Sequence, residues 1–176
     1  PVDALVLDLY WFEHMGDLQW NREAFPQPFR MMRDLKERGV QTVAITEPYL
    51  VRPSRLFDPA LDSSFVGETP NGDPYVMEDW WSCAEGCDVA LLDITDPDAQ
   101  DWWADQYPPF MGETMAGLWT DLGEPEEHPD DMQHHLGSTA AVHNLYNFLW
   151  SRTLYRHWSE WRPDRRMVNL TRSGYA

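Results

Sequence analysis

Four short apolar segments recur along this chain, at residues 4–8, 40–45, 116–120 and 167–171. Their length favours β-strands over helices, and the second segment is rich in β-branched residues. Each is almost continuously apolar, which is typical of strands covered on both faces of a parallel sheet. We therefore expect four parallel strands, of which the first is buried and ends at Asp8.

The segments between these strands carry the signals of helices. Residues 28–38 have apolar side chains at helical spacing and run into Gly39, a residue that suits the position just after a helix. Residues 96–107 open with Asp96 as a candidate N-cap and a proline in the first turn. Residues 138–161 predict a long third helix. Strand and helix therefore alternate along the chain.

Residues 49–93 interrupt this alternation. They contain many Pro, Gly and Asp residues and show little periodicity. A structureless loop of this length is uncommon in a compact domain. We expect the segment to contain short strands and to have a functional role.

The alternation predicts an α/β fold, a partial (β/α)8 TIM barrel with about four parallel strands and covering helices. A doubly wound open sheet is the alternative, although no GxGxxG or Walker loop supports a nucleotide site. A polar residue stands at or just after each strand end: Asp8, Glu47, Asp121 and Arg172. Because the carboxyl ends of barrel strands share one rim, we expect these four segments to converge on an active site there.

Composition narrows the classes of partner. The 176 residues are 43% hydrophobic and 14% aromatic, which suits one globular domain. A net charge of −17 argues against nucleic acid or an anionic membrane as partner, and leaves neutral ligands such as sugars. No apolar run approaches the ~20 residues of a membrane span. We expect a soluble chain, and secretion or a periplasmic location of the full-length protein stays open.

The stretch Gly-Leu-Trp-Thr-Asp-Leu-Gly-Glu-Pro-Glu at residues 117–126 is the best candidate for chemistry. Side chains alternate along a strand, so Trp119 and Asp121 should point to the same face. An indole offers a surface on which a sugar ring can stack, and a carboxylate can attack an anomeric carbon. The residues alone therefore predict a carbohydrate site.

Six ordered blocks make the chain similar to a known family. They are Leu-Asp-Leu-Tyr-Trp-Phe at 7–12, Asp-Leu-Gln-Trp-Asn-Arg-Glu-Ala-Phe-Pro at 17–26, Ile-Thr-Glu-Pro at 45–48, Leu-Asp-Ile-Thr-Asp-Pro at 92–97, Trp-Thr-Asp-Leu-Gly-Glu at 119–124 and Leu-Thr-Arg-Ser at 170–173. In this order they resemble strands two to five of the catalytic barrel of glycoside hydrolase family 31. That family includes α-glucosidases, α-xylosidases and α-glucan transglucosylases.

The resemblance implies a set of site residues. Asp121 falls on the family's catalytic nucleophile. The implied substrate-binding residues are Asp8, Ile45, Trp81, Trp119, Leu122 and Arg172. Among them, Asp8 would bind sugar hydroxyl groups, Ile45 would form an apolar wall, and Arg172 would contact the sugar and the surroundings of Asp121. The wall tryptophan is Trp81 or its neighbour Trp80.

The mechanism implied by the resemblance is a retaining hydrolysis of α-linked glucosyl or xylosyl oligosaccharides, through a covalent glycosyl-Asp121 intermediate. We expect Arg172 to lower the pKa of Asp121 and keep it ionised. The family's general acid would lie beyond Ala176, so we expect residues 1–176 to be one barrel segment, cut at both ends and inactive without the remainder of the barrel. The alternatives are an α-1,4-glucan transglucosylase of the same family and a non-catalytic sugar-binding or structural fragment.

The remaining polar clusters predict no metal or cofactor. Cys83 and Cys87 are expected to be structural cysteines, free or disulfide-bonded, because no second pair of metal-ligand spacing accompanies them. The histidines between the third strand and the long helix are expected in a solvated acidic loop, and the histidine of that helix is expected to pack or hydrogen-bond. These residues are His128, His134, His135 and His143.

Overall fold

The computed structural model describes residues 1–174 of the chain. Residues 175 and 176, the end of the barrel segment predicted above, lie outside the described residues. The strands are β1 (Ala4–Leu7), β2 (Gln41–Thr46), β3 (Tyr49–Val51), β4 (Val76–Met77), β5 (Val89–Leu91), β6 (Gly117–Thr120), β7 (Gln133–His134), β8 (Gly137–Ser138) and β9 (Val168–Thr171). The helices are α1 (Pro28–Glu37), α2 (Phe57–Asp62), α3 (Pro97–Ala104), α4 (Tyr107–Met111) and α5 (Thr139–Trp161).

The four predicted strands form one parallel sheet in the order β1-β2-β6-β9. Each new strand joins on the same side of the previous one, with helices in the connections. A doubly wound sheet would reverse its order at a switch point, and this sheet does not. The architecture is therefore a partial TIM barrel that is not closed, as predicted.

The predicted helix signals are present in the structure. The side chain of Asp96 accepts a hydrogen bond from the backbone N–H of Asp98 at 2.8 Å, which caps α3. Gly39 follows α1 with a φ of 82°, a conformation that costs glycine little. On the sheet face covered by helices, Ala44 and Leu118 are fully buried.

A second, antiparallel sheet lies within residues 49–93, in the order β3-β5-β4. This confirms the prediction of short strands in that segment. The loop between β4 and β5 carries a disulfide bond between Cys83 and Cys87. The two cysteines are therefore structural, in their bonded form.

The prediction that the first strand is buried is wrong. Leu5 and Val6 of β1 are 40% and 45% exposed, and Val168 and Leu170 of β9 are 56% and 50% exposed. Both strands lie at the outside of the sheet, where each has only one neighbouring strand among residues 1–174. An outer strand lacks the cover that its continuous apolar sequence would need, so its side chains reach solvent.

The core is rich in aromatic side chains. Trp11, Trp103, Trp150 and Trp158 are at most 2% exposed, so these tryptophans serve packing. Trp81, in contrast to these four tryptophans, is 48% exposed. Within residues 1–174, no helix combines the length and apolar composition required for crossing a bilayer.

Candidate functional site

The register of the parallel sheet places three ionisable residues side by side. Thr46 pairs with Thr120, and Thr120 pairs with Thr171, so the next residues along each strand are Glu47, Asp121 and Arg172. The backbone N–H of Asp121 donates to the carbonyl of Thr46 at 3.0 Å, which extends the ladder one step beyond the strands. The carboxyl ends of β2, β6 and β9 therefore converge at one rim, as predicted for these three of the four segments, whereas Asp8 after β1 is level with Ile45 rather than with Glu47.

Arg172 forms ion pairs with three carboxylates at this rim. Its Nε atom lies 3.3 Å from Asp121 Oδ1 and 2.6 Å from Glu124 Oε1, and its Nη2 atom lies 2.7 Å from Glu126 Oε2. The hydrogen bond to Glu124 is the main cause that raises the pKa of Arg172. The guanidinium therefore stays charged and links the nucleophile candidate to the loop that follows it.

The expected pKa of Asp121 needs a correction. Burial raises the pKa of Asp121 above its usual range, and the lowering effect of Arg172 only partly offsets that burial. Glu124 and Glu126 add to the increase because their negative charges lie nearby. The prediction of a lowered pKa took only the charge of Arg172 into account. Removal of water from the Asp121 carboxylate has the larger effect.

Glu47 is a buried acid beside Asp121, and its burial could not be predicted from the sequence. It is 2% exposed, and its Oε1 atom has no hydrogen-bond partner in the described part of the chain. Burial and the charges of Asp121 and Asp8 raise its pKa well above the usual value. Burial therefore favours the neutral form of Glu47 beside Asp121.

The turn after Asp121 is tight and closely packed. Leu122 has a φ of 58°, a conformation that is unfavourable for a residue with a side chain, and it is 4% exposed. Gly123 lies against α5, where a Cβ atom would come within 2.6 Å of Asn147 Oδ1. Asn147 Nδ2 in turn donates to Thr171 Oγ1 at 2.8 Å. Helix α5 thus supports both the turn after Asp121 and the end of β9.

The other predicted substrate-binding residues differ in their access to solvent. Trp119 is half-buried and pairs in register with Ile45, so the two share one sheet face with Asp121. Ile45 itself is 1% exposed and belongs to the core. Asp8 is exposed and follows β1. The indole and the carboxylate therefore occupy the same face, as the alternation predicted.

The structure also distinguishes the two candidate wall tryptophans. Trp80 is buried, stacks on Tyr49 with ring centres 4.5 Å apart, and directs its indole N–H to Met15 Sδ at 3.3 Å. Trp81 is exposed on the loop between β4 and β5. Of the two, Trp81 has a free surface. Within residues 1–174, no hydrogen bond joins Trp81 to Asp121.

The prediction of a solvated loop around the histidines is wrong for two of them. His134 and His128 join Asp93 and His143 in a hydrogen-bonded row, and the side chain of His134 is fully buried. His135 alone among the loop histidines is exposed. No local pattern of residues indicates this row, because its members come from three separate segments.

The row does not form a metal centre. His128 uses its two ring nitrogens in opposite directions, one toward His134 and the other toward His143. A metal ion needs ligand atoms that converge on one point. Over residues 1–174 there is no group of three or more His, Cys, Asp or Glu side chains arranged to bind a metal ion.

This geometry is suited to nucleophilic chemistry on a neutral ligand. A carboxylate with little access to water, held by an arginine, lies on the same sheet face as a partly open indole. Such a carboxylate can form a bond to an electrophilic carbon, while the indole offers a stacking surface.

Comparison with known proteins extends this description. The sequence profile of the glycosyl hydrolases family 31 TIM-barrel domain matches residues 1–176. The α-xylosidase XylQ of Lactiplantibacillus pentosus is 29% identical over 161 residues, which cover 88% of this chain and 20% of that protein. α-Glucosidase 2 of Bacillus thermoamyloliquefaciens is 21% identical over 192 residues, which cover 100% of this chain and 23% of that protein.

A solved structure has the same fold. The dextranase FjDex31A of Flavobacterium johnsoniae, in complex with glucose, superposes with a TM-score of 0.89 at 27% identity. The match covers 100% of this chain and 22% of the dextranase chain. The chain thus spans about a fifth of the length of the curated relatives described above.

Proposed function

Because this chain belongs to glycoside hydrolase family 31, we propose that it supplies the nucleophile of a retaining enzyme that cleaves α-linked glucosyl or xylosyl oligosaccharides. Asp121 is the proposed nucleophile. The observation that carries the proposal is the position of Asp121 at the carboxyl end of a barrel strand, paired with Arg172 and on one sheet face with Trp119.

In the proposed reaction, Asp121 attacks the anomeric carbon and forms a covalent glycosyl ester. A second carboxyl group protonates the departing oxygen and then activates the water that releases the sugar. Retention places the two carboxyl groups about 5 Å apart. Arg172 keeps the attacking oxygens oriented and opposes the effect of burial, which would otherwise favour protonated Asp121.

We infer that the second carboxyl group comes from a part of the protein outside residues 1–174. Glu124 and Glu126 are the acids closest in sequence, and both are bound by Arg172. Burial works to raise the pKa of Glu124, but its hydrogen bonds with Arg172 and the backbone lower that pKa overall. A carboxylate held in its ionised form is a poor proton donor.

The proposed roles around the sugar follow the same geometry. Trp119 and Trp81 offer indole surfaces, Asp8 offers an exposed carboxylate for hydroxyl groups, and Arg172 holds the nucleophile. Leu122 shapes the turn beside Asp121, and Ile45 lies beside Trp119 on the neighbouring strand as part of the core. The relatives named above are an α-xylosidase, an α-glucosidase and a dextranase, which favours hydrolysis over transfer to a second sugar.

The test is a covalent trap. The full natural reading frame that contains residues 1–176 is expressed as one polypeptide, treated with a fluorinated α-glucoside or α-xyloside, and digested for mass spectrometry. We expect the added sugar on the peptide that contains Asp121. Asp121→Asn should remove the label, whereas Asp34→Asn on α1 serves as the control and should keep it. A label on another acid, or no turnover of any α-glycoside by the unmodified protein, would contradict the proposal.

A further inference from the structure

A row of four side chains runs from the end of β5 to helix α5. Asp93 Oδ1 lies 3.1 Å from His134 Nδ1, and His134 Nε2 lies 2.7 Å from His128 Nε2. His128 Nδ1 then lies 3.0 Å from His143 Nδ1. Each distance is that of a hydrogen bond, and each bond between two neutral imidazoles needs one donor nitrogen and one acceptor nitrogen.

Asp93 determines the direction of every bond in the row. Its two oxygens accept from the hydroxyl of Thr95 at 2.7 Å and from the backbone N–H of His135 at 2.7 Å. Burial works to raise the pKa of Asp93, but its hydrogen bonds, first among them the one with His134, lower that pKa overall. An ionised carboxylate only accepts, so Nδ1 of His134 must carry the proton.

The remaining protons follow in order. In a row of three neutral rings, His134 with its proton on Nδ1 accepts at Nε2, so His128 donates from Nε2. Neutral His128 then accepts at Nδ1, and His143 must donate from its own Nδ1. Burial lowers the pKa of His128 to about 3, so this central ring stays neutral at pH 7. In the neutral row, one carboxylate therefore assigns the tautomers of three rings.

The row lies next to the segment that carries the partners of Arg172. His128 lies two residues beyond Glu126, whose carboxylate binds Arg172. Between them, the backbone of Glu127 both donates to and accepts from the hydroxyl of Tyr49, at 2.8 and 2.9 Å. His143, the last ring of the row, lines a cavity of about 140 Å³ together with Glu124.

We propose that Asp93 and the three histidines form a tautomer-locked clamp, a set of positioning residues that fix Glu124 and Glu126 on Arg172 and so orient Asp121. The catalytic part of this statement rests on the function proposed above. The tautomer assignment does not, because it follows from the distances between the four side chains and from neutral rings, which the histidine spectra below test directly. A solvated loop would leave the rings free to exchange tautomers, whereas a clamp permits one arrangement.

The first test is nitrogen NMR of the full-length protein with ¹⁵N-labelled histidine at pH 7. We expect His134 and His143 in the Nδ1–H form and His128 in the Nε2–H form. We also expect Asp93→Asn to change the signals of His143, which lies three bonds of the row away from residue 93. An imidazolium signal for His128, a different tautomer, or no response of His143 would overturn the proposal.

The second test uses two amides that imitate different ring nitrogens. Asparagine at 143 can donate from the position of Nδ1, whereas glutamine places its amide near the position of Nε2. We expect His143→Asn to retain most of the kcat/KM for an α-glycoside, and His143→Gln to lose about tenfold, the effect of one buried hydrogen bond. The loss should lie in kcat rather than in KM, because the clamp acts through Asp121.

Unfolding curves show whether His143→Asn and His143→Gln both fold, so that their activities can be compared. If both fold and both keep full activity, the clamp does not position Asp121 and the proposal fails. If the unmodified protein has no glycosidase activity, the proposed function fails while the NMR result still decides the tautomer assignment. The same histidine spectra, recorded for His143→Asn and His143→Gln, should show the Nε2–H form of His128 disturbed in the second variant only.

Discussion

At the scale of single residues, Asp121 is under two opposing influences. Burial and neighbouring acids favour its protonated form, and Arg172 favours its ionised form. A nucleophilic carboxylate must be ionised to attack. The balance between these effects therefore sets the lower pH limit of the proposed reaction.

Replacement of this arginine by methionine tests that balance. Arg172→Met removes the positive charge that lowers the pKa of Asp121, so the pKa rises further. We expect the acid limb of the pH profile of kcat/KM to move to higher pH, with a loss of activity on the order of a hundredfold. Arg156→Met, which removes an arginine paired with Asp101 on the surface, is the control. An unmoved acid limb would show that Arg172 does not set the ionisation of Asp121.

Glu47 has an effect on stability opposite to that of an ordinary surface acid. Its pKa is raised in the folded protein, so above pH 4.5 the unfolded chain releases a proton that the folded chain keeps. Stability from this residue is therefore present at low pH and is lost as pH rises toward the raised pKa.

The glutamine variant should remove this dependence. We expect the stability advantage of Glu47→Gln over the unmodified protein to grow by about 1.4 kcal/mol per pH unit between the ordinary pKa of glutamate and the raised pKa of Glu47, and then to level off. Urea unfolding at several pH values measures the margin. Parallel curves for the two proteins would mean that Glu47 titrates alike in the folded and unfolded states.

The residues of the site were predictable to different degrees. Asp121 and Arg172 could be located because each follows an apolar strand within a recognisable motif. The burial of Glu47 and the row around His128 could not, because both depend on which distant segments cover them. His128 and Asp93 are far apart in sequence, and no local pattern relates the two.

At the scale of elements, helix α5 packs tightly against the turn after β6. A Cβ atom on Gly123 would lie 2.6 Å from Asn147 Oδ1 and 3.1 Å from the ring of Trp150. Asn147 also holds the end of β9 through Thr171. A shift of α5 would therefore reach Asp121 and Arg172 together.

Alanine at position 123 should force such a shift. We expect Gly123→Ala to destabilise the protein by about 1–3 kcal/mol, the usual cost of overpacking, and to lower kcat. Gly174→Ala is the control, because a Cβ atom there meets nothing within 4 Å among the residues that the structure describes. Thermal unfolding and steady-state kinetics measure both effects. Wild-type stability of Gly123→Ala would mean that α5 moves freely against this turn.

The long elements were predictable and the short ones were not. Caps and apolar spacing predict helices α1, α3 and α5, and continuous apolar runs predict the four strands of the main sheet. Strands β7 and β8 contain two residues each, which is too short for any periodicity. Their existence depends on the fold around them, as does the exposure of β1.

At the scale of the whole molecule, the sheet has an uncovered apolar part. Val6, Val168 and Leu170 are 45%, 56% and 50% exposed, and register places them on the same face as Trp119. Parallel sheets normally have both faces covered. Exposed apolar surface of this kind favours association with another surface.

Residues 1–176 expressed alone should therefore associate or unfold without a sharp transition. We expect the mass measured by light scattering to rise with protein concentration, and Leu170→Lys to reduce that rise because it places a charge on the apolar face. Glu160→Lys, which changes a charge at the end of α5, is the control. A monodisperse monomer with a cooperative unfolding transition would contradict this prediction.

The matched register of Glu47, Asp121 and Arg172 has a consequence for how activity arises during folding. The three residues come from strands far apart in the chain, and none can reach its neighbours until β2, β6 and β9 have paired. A slip of one residue between two of these strands would turn one member to the opposite face. Reactivity at Asp121 should thus appear on refolding only when the sheet is complete, and labelling of Asp121 by a covalent inhibitor would serve as a clock for strand pairing.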